Sequence, residues 1–128
     1  MRIRLPSDHQ APGEARAFVR AHLAGTILPG HLPVDDVALI ASELVTNAVH
    51  AGALEIDLVL DVTDHDLRLS VEDDAAGWPR VMAVDEHATN GRGLHMVQQL
   101  ADVLSVTPRA RGKRVTASWS GSSAPSAP

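Results

Sequence analysis

The segment DDVALIASELVTNAVHAG, residues 35–52, constrains this chain more than any other stretch. Its apolar residues recur at helical spacing, two aspartates open it near the positive end of a helix dipole, and Gly52 supplies a stop. At about 100° per residue, Val37, Ala41, Leu44 and Ala48 fall in one arc, while Asp36, Ile40, Glu43, Asn47 and His50 fall in another. A helix from 35 to about 51 therefore has two working faces. One must be covered by a core; the other holds a carboxylate and a carboxamide one turn apart, stacked along the axis. Taken alone, the pair suits a ligand site, and it equally suits a carboxylate capping a neighbouring segment beside an amide that satisfies a backbone group.

What covers the first face must be aliphatic, because the aromatic residues are Phe18, Trp78 and Trp119 and nothing more. That scarcity also removes the stacking platforms of single-strand nucleic-acid binders. A formal net charge of −5 and a pI near 5.7 argue against a phosphate-backbone surface, so no direct nucleic-acid partner is expected. The absence of cysteine excludes disulfides, thiolate metal clusters and a thiol nucleophile. No apolar run approaches the roughly 18–20 residues of a membrane span, and the N-terminus has no apolar targeting core, so the expected setting is the cytoplasm, off the membrane. At 128 residues the chain is long enough for one core and too short for two ordinary domains.

Around the central helix the pattern alternates between layers. Arg2 to Leu5 reads as a short edge strand, and Pro12, Ala15, Phe18, Val19 and Leu23 place a first helix at about 11–24, closed by Gly25. Leu54 to Asp61 and Asp66 to Glu72 alternate as a β-hairpin, and Val103 to Thr107 and Lys113 to Ser118 as a second, across the basic turn PRARGK. A third helix is expected at about 93–101. The fold class is α/β in the broad sense, an α+β two-layer sandwich with helices on one face of a mixed, mainly antiparallel sheet. Residues 1–119 form the single domain, and the tail 120–128, rich in Ser, Ala and Pro, is expected to be disordered.

Two further stretches carry chemistry. GRGLHMV, residues 91–97, puts two glycines before a helix whose unpaired backbone N–H groups favour an anion. It lacks the third glycine of a dinucleotide fingerprint, where Met96 stands, and there is no G-x-x-x-x-G-K-[ST] loop. VEDDAAGWP, residues 71–79, ends a strand in Asp73 before a glycine; such a carboxylate can accept from an exocyclic amine, and Asp and Gly are also ordinary turn formers.

SELVTNAVHAG, VEDDAAGWP and GRGLHMV, in that order, resemble the N box and the two glycine boxes of the Bergerat-fold, histidine-kinase-like ATP-binding superfamily, over about residues 10–119. The likeness is strongest to the small bacterial anti-sigma-factor serine/threonine protein kinases. The resemblance implies ATP and Mg²⁺ as cofactors, with Asn47 on the metal, Glu43 as the catalytic general base and Asp73 on the adenine amine. It implies that Gly77 lets the backbone approach the base, and that Gly91, Arg92, Gly93 and Leu94 form the hinge of a lid over the phosphates. It further implies a sigma factor and an anti-anti-sigma protein as partners, phosphorylation of the latter on serine or threonine, and a homodimer. The alternative is a nucleotide-gated regulatory binding module with no phosphotransfer, in which Mg-ATP only biases partner affinity. A sensor histidine kinase is disfavoured, since no phosphoacceptor or dimerisation helices accompany the motifs.

The sequence departs from the family in places. The N box has one residue fewer before His50-Ala51, which leaves the role of His50 open; Ala75 stands where a glycine is usual, and Arg114 where a small hydroxylated residue often sits near the base. Both bear on adenine binding. The four cations of RARGKR, residues 109–114, read as a solvated hairpin loop, and Asp61, Asp64, His65 and Asp66 as a polar turn rather than a metal site.

Overall fold

A computed structural model describes residues 1–76, 97 and 100–121. Its elements are β1 (Arg2–Leu5), α1 (Ala11–Leu23), a 3₁₀ turn (Pro29–His31), α2 (Val34–His50), β2 (Ile56–Val62), β3 (Asp66–Asp73), β4 (Val103–Pro108) and β5 (Lys113–Ser120). Val97 and Leu100 are helical, in the place of the expected third helix; the rest of that helix and the expected tail from 122 lie outside the described residues.

The five strands run in the order β1-β2-β3-β5-β4, and every pairing among them is antiparallel. The expected mixed component is not found among the described strands. α1 and α2 pack against each other and lie on one face of the sheet, with α2 over β2 and β3. The architecture is α+β in two layers.

Local chemistry explains the helix ends. Pro12 sits in the first turn of α1, where its missing N–H costs nothing, and the Asp8 carboxylate accepts from the Gln10 N–H at 2.8 Å just before it. At the end of α2, Ala53 N–H donates to the Ala48 carbonyl at 3.1 Å and Gly52 N–H to that of Val49 at 3.0 Å. This pair of bonds is the Schellman closure, and Gly52 takes the positive φ of 85° it requires.

Beneath the helices the core is aliphatic, as the sequence demands. Leu58, Leu60, Leu67, Leu69 and Val71 project from β2 and β3 onto Val37, Ile40, Ala41, Leu44 and Val45 of α2 and Val19 and Leu23 of α1, all essentially sealed from solvent. Each of these valines, leucines and isoleucines contributes about 1.5–3 kcal/mol by leaving water, and the Ala41 methyl less. Trp119 is the aromatic exception; it packs at the core margin with its indole N–H donating to the Leu100 carbonyl at 2.9 Å. Among the described residues no helix is long and apolar enough to cross a membrane.

Candidate functional site

Three sequence-selected residues lie among those described. Glu43 and Asn47 occupy successive turns of α2 and are both half-buried, while Ile40, on the same arc, is fully buried. Along this second face of α2, Ile40 alone is sealed, while Asp36, Glu43 and Asn47 stay partly exposed. Ser42 and Thr46 turn their hydroxyls back to the Leu39 and Ser42 carbonyls, each at 2.7 Å, and so compete for neither group. Among the described residues neither Glu43 nor Asn47 has a side-chain partner, yet no buried side-chain nitrogen or oxygen is left unsatisfied. His50 is exposed at the end of the helix.

Asp73 is the last residue of β3. Strand alternation aims it, with Leu67, Leu69 and Val71, toward the helices, and it is 1% exposed. Its Oδ1 accepts two hydrogen bonds, from the Ala75 N–H at 2.9 Å and from the Lys113 ammonium at 3.1 Å. Lys113 is itself 3% exposed along its side chain and stands directly opposite Asp73 in the β3–β5 register. The turn that delivers it is held tightly. Gly112 has φ of 79°, and a Cβ there would lie 1.9 Å from the Asp73 carbonyl oxygen, so the residue before Lys113 has room for no side chain.

Asp74, next along, fastens β2 to the same corner: its Oδ1 accepts from the N–H groups of Leu54 at 2.8 Å and Glu55 at 3.1 Å. Those bonds, the one to Glu55 first, hold its carboxyl below the usual aspartate range.

Gly77, Gly91, Arg92, Gly93 and Leu94, the expected base-approach and lid residues, lie outside the described residues. Of the departures, Ala75 supplies the N–H that orients Asp73 and packs its methyl into the core. Arg114 is not beside Asp73. It projects from the opposite face of the sheet and pairs with Glu72 at 2.7 Å, so strand alternation keeps it off the face that carries Asp73.

Of the cations of residues 109–114, Arg109, Arg111 and Arg114 are exposed as a solvated loop requires, and Lys113 alone is buried. Arg109 approaches Glu72 at 3.7 Å and donates to the Asp73 carbonyl at 3.4 Å, Arg114 pairs with Glu72, and Lys113 is buried. Among the described residues no group of three or more His, Asp or Glu side chains is placed to hold a metal, the Asp61–Asp66 turn included.

Residues 5–119 match the family model described as the histidine kinase-like ATPase domain. The chain belongs to that family. No curated protein matches the sequence. Among solved structures, the RsbU and RsbW domains of Rv1364c from Mycobacterium tuberculosis are similar at a TM-score of 0.68 and 25% identity, over 92% of this chain and 30% of that one. The histidine kinase domain of the Erythrobacter litoralis EL346 blue-light activated histidine kinase is similar at a TM-score of 0.55 and 22% identity, over 84% of this chain and 58% of that one. The latter likeness is one of fold alone. This chain thus spans less than two thirds of either protein's length.

For a histidine kinase-like ATPase domain, Lys113 is the residue that motif reading passed over. The signal was present: in KRVTASW the alternation puts Lys113 on the same side as Val115, Ala117 and Trp119, which face the core. An inward lysine requires a buried partner. Only the register identifies that partner as Asp73.

Proposed function

We propose that the chain is an ATP-binding anti-sigma factor with serine/threonine protein kinase activity toward an anti-anti-sigma protein. The observation that carries this reading is the Glu43–Asn47 pair: half-buried and without side-chain partners among the described residues, on a helix otherwise committed to the core. The family membership supports nucleotide binding, and the N-box likeness to anti-sigma kinases, with a similar structure that includes an RsbW domain, supports the narrower class.

The donor set fits a magnesium nucleotide. A carboxamide oxygen is a hard ligand, and Mg²⁺ commonly takes one or two protein groups alongside phosphates and water, so a dedicated cluster of carboxylates is not needed. Asn47 would hold the ion, which neutralises phosphate charge when bound. Glu43, one turn away, would take the proton of the serine or threonine hydroxyl as that oxygen bonds to the γ-phosphorus and ADP departs. Asp73 would receive the base, and residues 91–94 would meet the phosphates with backbone N–H groups. A homodimer in the cytoplasm that sequesters a sigma factor completes the proposal.

One observation favours the second reading, a nucleotide-gated binding module without phosphotransfer. Asp73 already accepts from Lys113, which competes with a base for the carboxylate. Intact-mass analysis of a cognate anti-anti-sigma protein mixed with this chain and Mg-ATP separates the two. A gain of one phosphate on the partner is expected, and Glu43→Ala should abolish it while a thermal shift with Mg-ATP persists, because a base acts on the proton rather than on the bound nucleotide. An unmodified partner under saturating ATP leaves the binding module standing instead.

A further inference from the structure

At the end of the sheet opposite Asp73, two hollows of about 340 and 260 Å³ lie on either side of the Pro29–His31 turn and share Pro29, Gly30, His31 and Gly121. Asp66 meets Ser120 at this end of β3 and Asp73 meets Lys113 at the other, so the length of the strand, about 23 Å, separates the groove from that corner. Gly30 and His31 both take left-handed φ, 63° and 56°, which throws the turn up as a ridge between the hollows. Gly121 backs it so closely that a Cβ there would lie 2.7 Å from the Pro29 Cα, and the Gly121 N–H donates to the His65 carbonyl at 2.9 Å. Leu32, Leu100 and Trp119 line one hollow, Ile27 and Leu28 the other. Leu28 is 3% exposed, whereas Ile27 before it is 82% exposed, an apolar side chain whose burial is left unrealised.

The charge around this groove is of one sign. Asp102 lines the first hollow and Asp64 the second, and among the described residues no lysine or arginine lines either. The hollows on the outer face of the sheet differ, since there arginines and acids stand together. Asp102 accepts from the Ser120 N–H at 2.9 Å and keeps its charge, and Asp64 has no side-chain partner among the described residues. The positive end of α2 adjoins the groove, but Asp35 and Asp36 in its first turn offset it. We propose that this groove docks an apolar segment of a protein partner that carries lysine or arginine beside its apolar residues. Its acidic rim repels nucleic-acid phosphates and anionic lipid headgroups, and a second copy of a chain with net charge −5 is a poor complement. Residues 122–128, SSAPSAP, contain no cation to offer it. The proposal is independent of the nucleotide reading, which concerns the other end of the molecule.

Amide chemical shifts of the full chain, titrated with two end-blocked heptapeptides, test this. One is five leucines flanked by a lysine at each end; its twin has glutamates in place of the lysines. Saturable shifts are expected at Ile27, Leu28, Gly30, His31, His65 and Gly121 with the lysine peptide, and the glutamate twin should bind at least about tenfold more weakly. Ile27→Ser, at an exposed position that the fold does not need, should weaken the lysine peptide about tenfold, and Asp64→Asn about two- to fivefold. A thermal shift with Mg-ATP should be the same in both variants as in the unaltered protein. Equal affinity for the two peptides overturns the proposal, as does an absence of saturable shifts at these amides or an Ile27→Ser variant that binds as well as the unaltered chain. Failure to bind ATP would overturn the nucleotide reading and leave this groove untouched.

Discussion

Glu72 and Asp73 are adjacent, both acidic and both almost fully buried, at 4% and 1% exposure, yet they belong to different regions of the molecule. Glu72 faces away from the helices and is met by Arg2 at 2.8 Å, Arg114 at 2.7 Å and Arg109 at 3.7 Å, guanidiniums that remain 39–52% exposed. Asp73 faces the helices and is met by one lysine as buried as itself. On the outer face several partially hydrated cations share one carboxylate, so loss of any one leaves the acid paired. On the inner face two charges have given up water for each other, so removing either strands the other. The same turn, residues 109–114, supplies cations to both faces.

The sharpest way to break the comparison is to remove one partner on each side. Lys113→Ala is expected to lower unfolding free energy by about 3–5 kcal/mol, and the double variant Asp73→Asn with Lys113→Met by less than that single change, because no charge is then left without a counterpart. Urea denaturation of the three proteins measures both; a Lys113→Ala loss under about 1 kcal/mol would mean that the pair is hydrated in solution. Gly112→Ala comes next. Its Cβ would overlap the Asp73 carbonyl at a positive φ, so a loss of about 1–3 kcal/mol is expected, together with weaker nucleotide binding as the corner shifts. Arg2→Ala is expected to cost only about 0.2–1 kcal/mol, since the guanidinium is more than half exposed and Glu72 keeps Arg114.

Acidity gives the smallest effect and sharpens the outer face alone. Glu72 is held below the ordinary carboxylate range, first by the Arg2 hydrogen bond, and Asp57 first by that from Arg4. Because these folded-state values are lowered, their contribution is complete above the unfolded carboxylate pKa and fades as pH falls through the folded one. Stability from these pairs should therefore be flat at neutral pH and decline only below about pH 4.3. The decline should be shallower in Arg2→Ala; equal slopes in the two proteins would exclude the Arg2 bond as the cause.

The elements themselves were legible in the sequence because each rests on local periodicity. The helix ends at Gly25 and Gly52, the two hairpins and the aliphatic core all follow from spacing and from the side chains each position can bury. The candidate site was legible where it lies on one element: Glu43 and Asn47 share a face of α2 whatever else surrounds them. It was not legible where two strands meet. Arg114 was expected near the base and Lys113 was passed over, because a one-residue difference along β5 exchanges the faces, and nothing local to KRVTASW states which residue of β3 lies opposite.

By itself, the order of residues determined an α+β chain with a two-sided central helix, an aromatic-poor core and an aspartate closing a strand, since these follow from periodicities of 3.6 and 2 acting within one segment. Tertiary structure alone decided that Asp73 lies against Lys113, that Glu72 gathers arginines on the far face, and that Gly112 touches the Asp73 backbone. Those contacts join positions from about forty to 70 residues apart in the sequence, and register between strands is settled by the packing of whole faces rather than by any single turn.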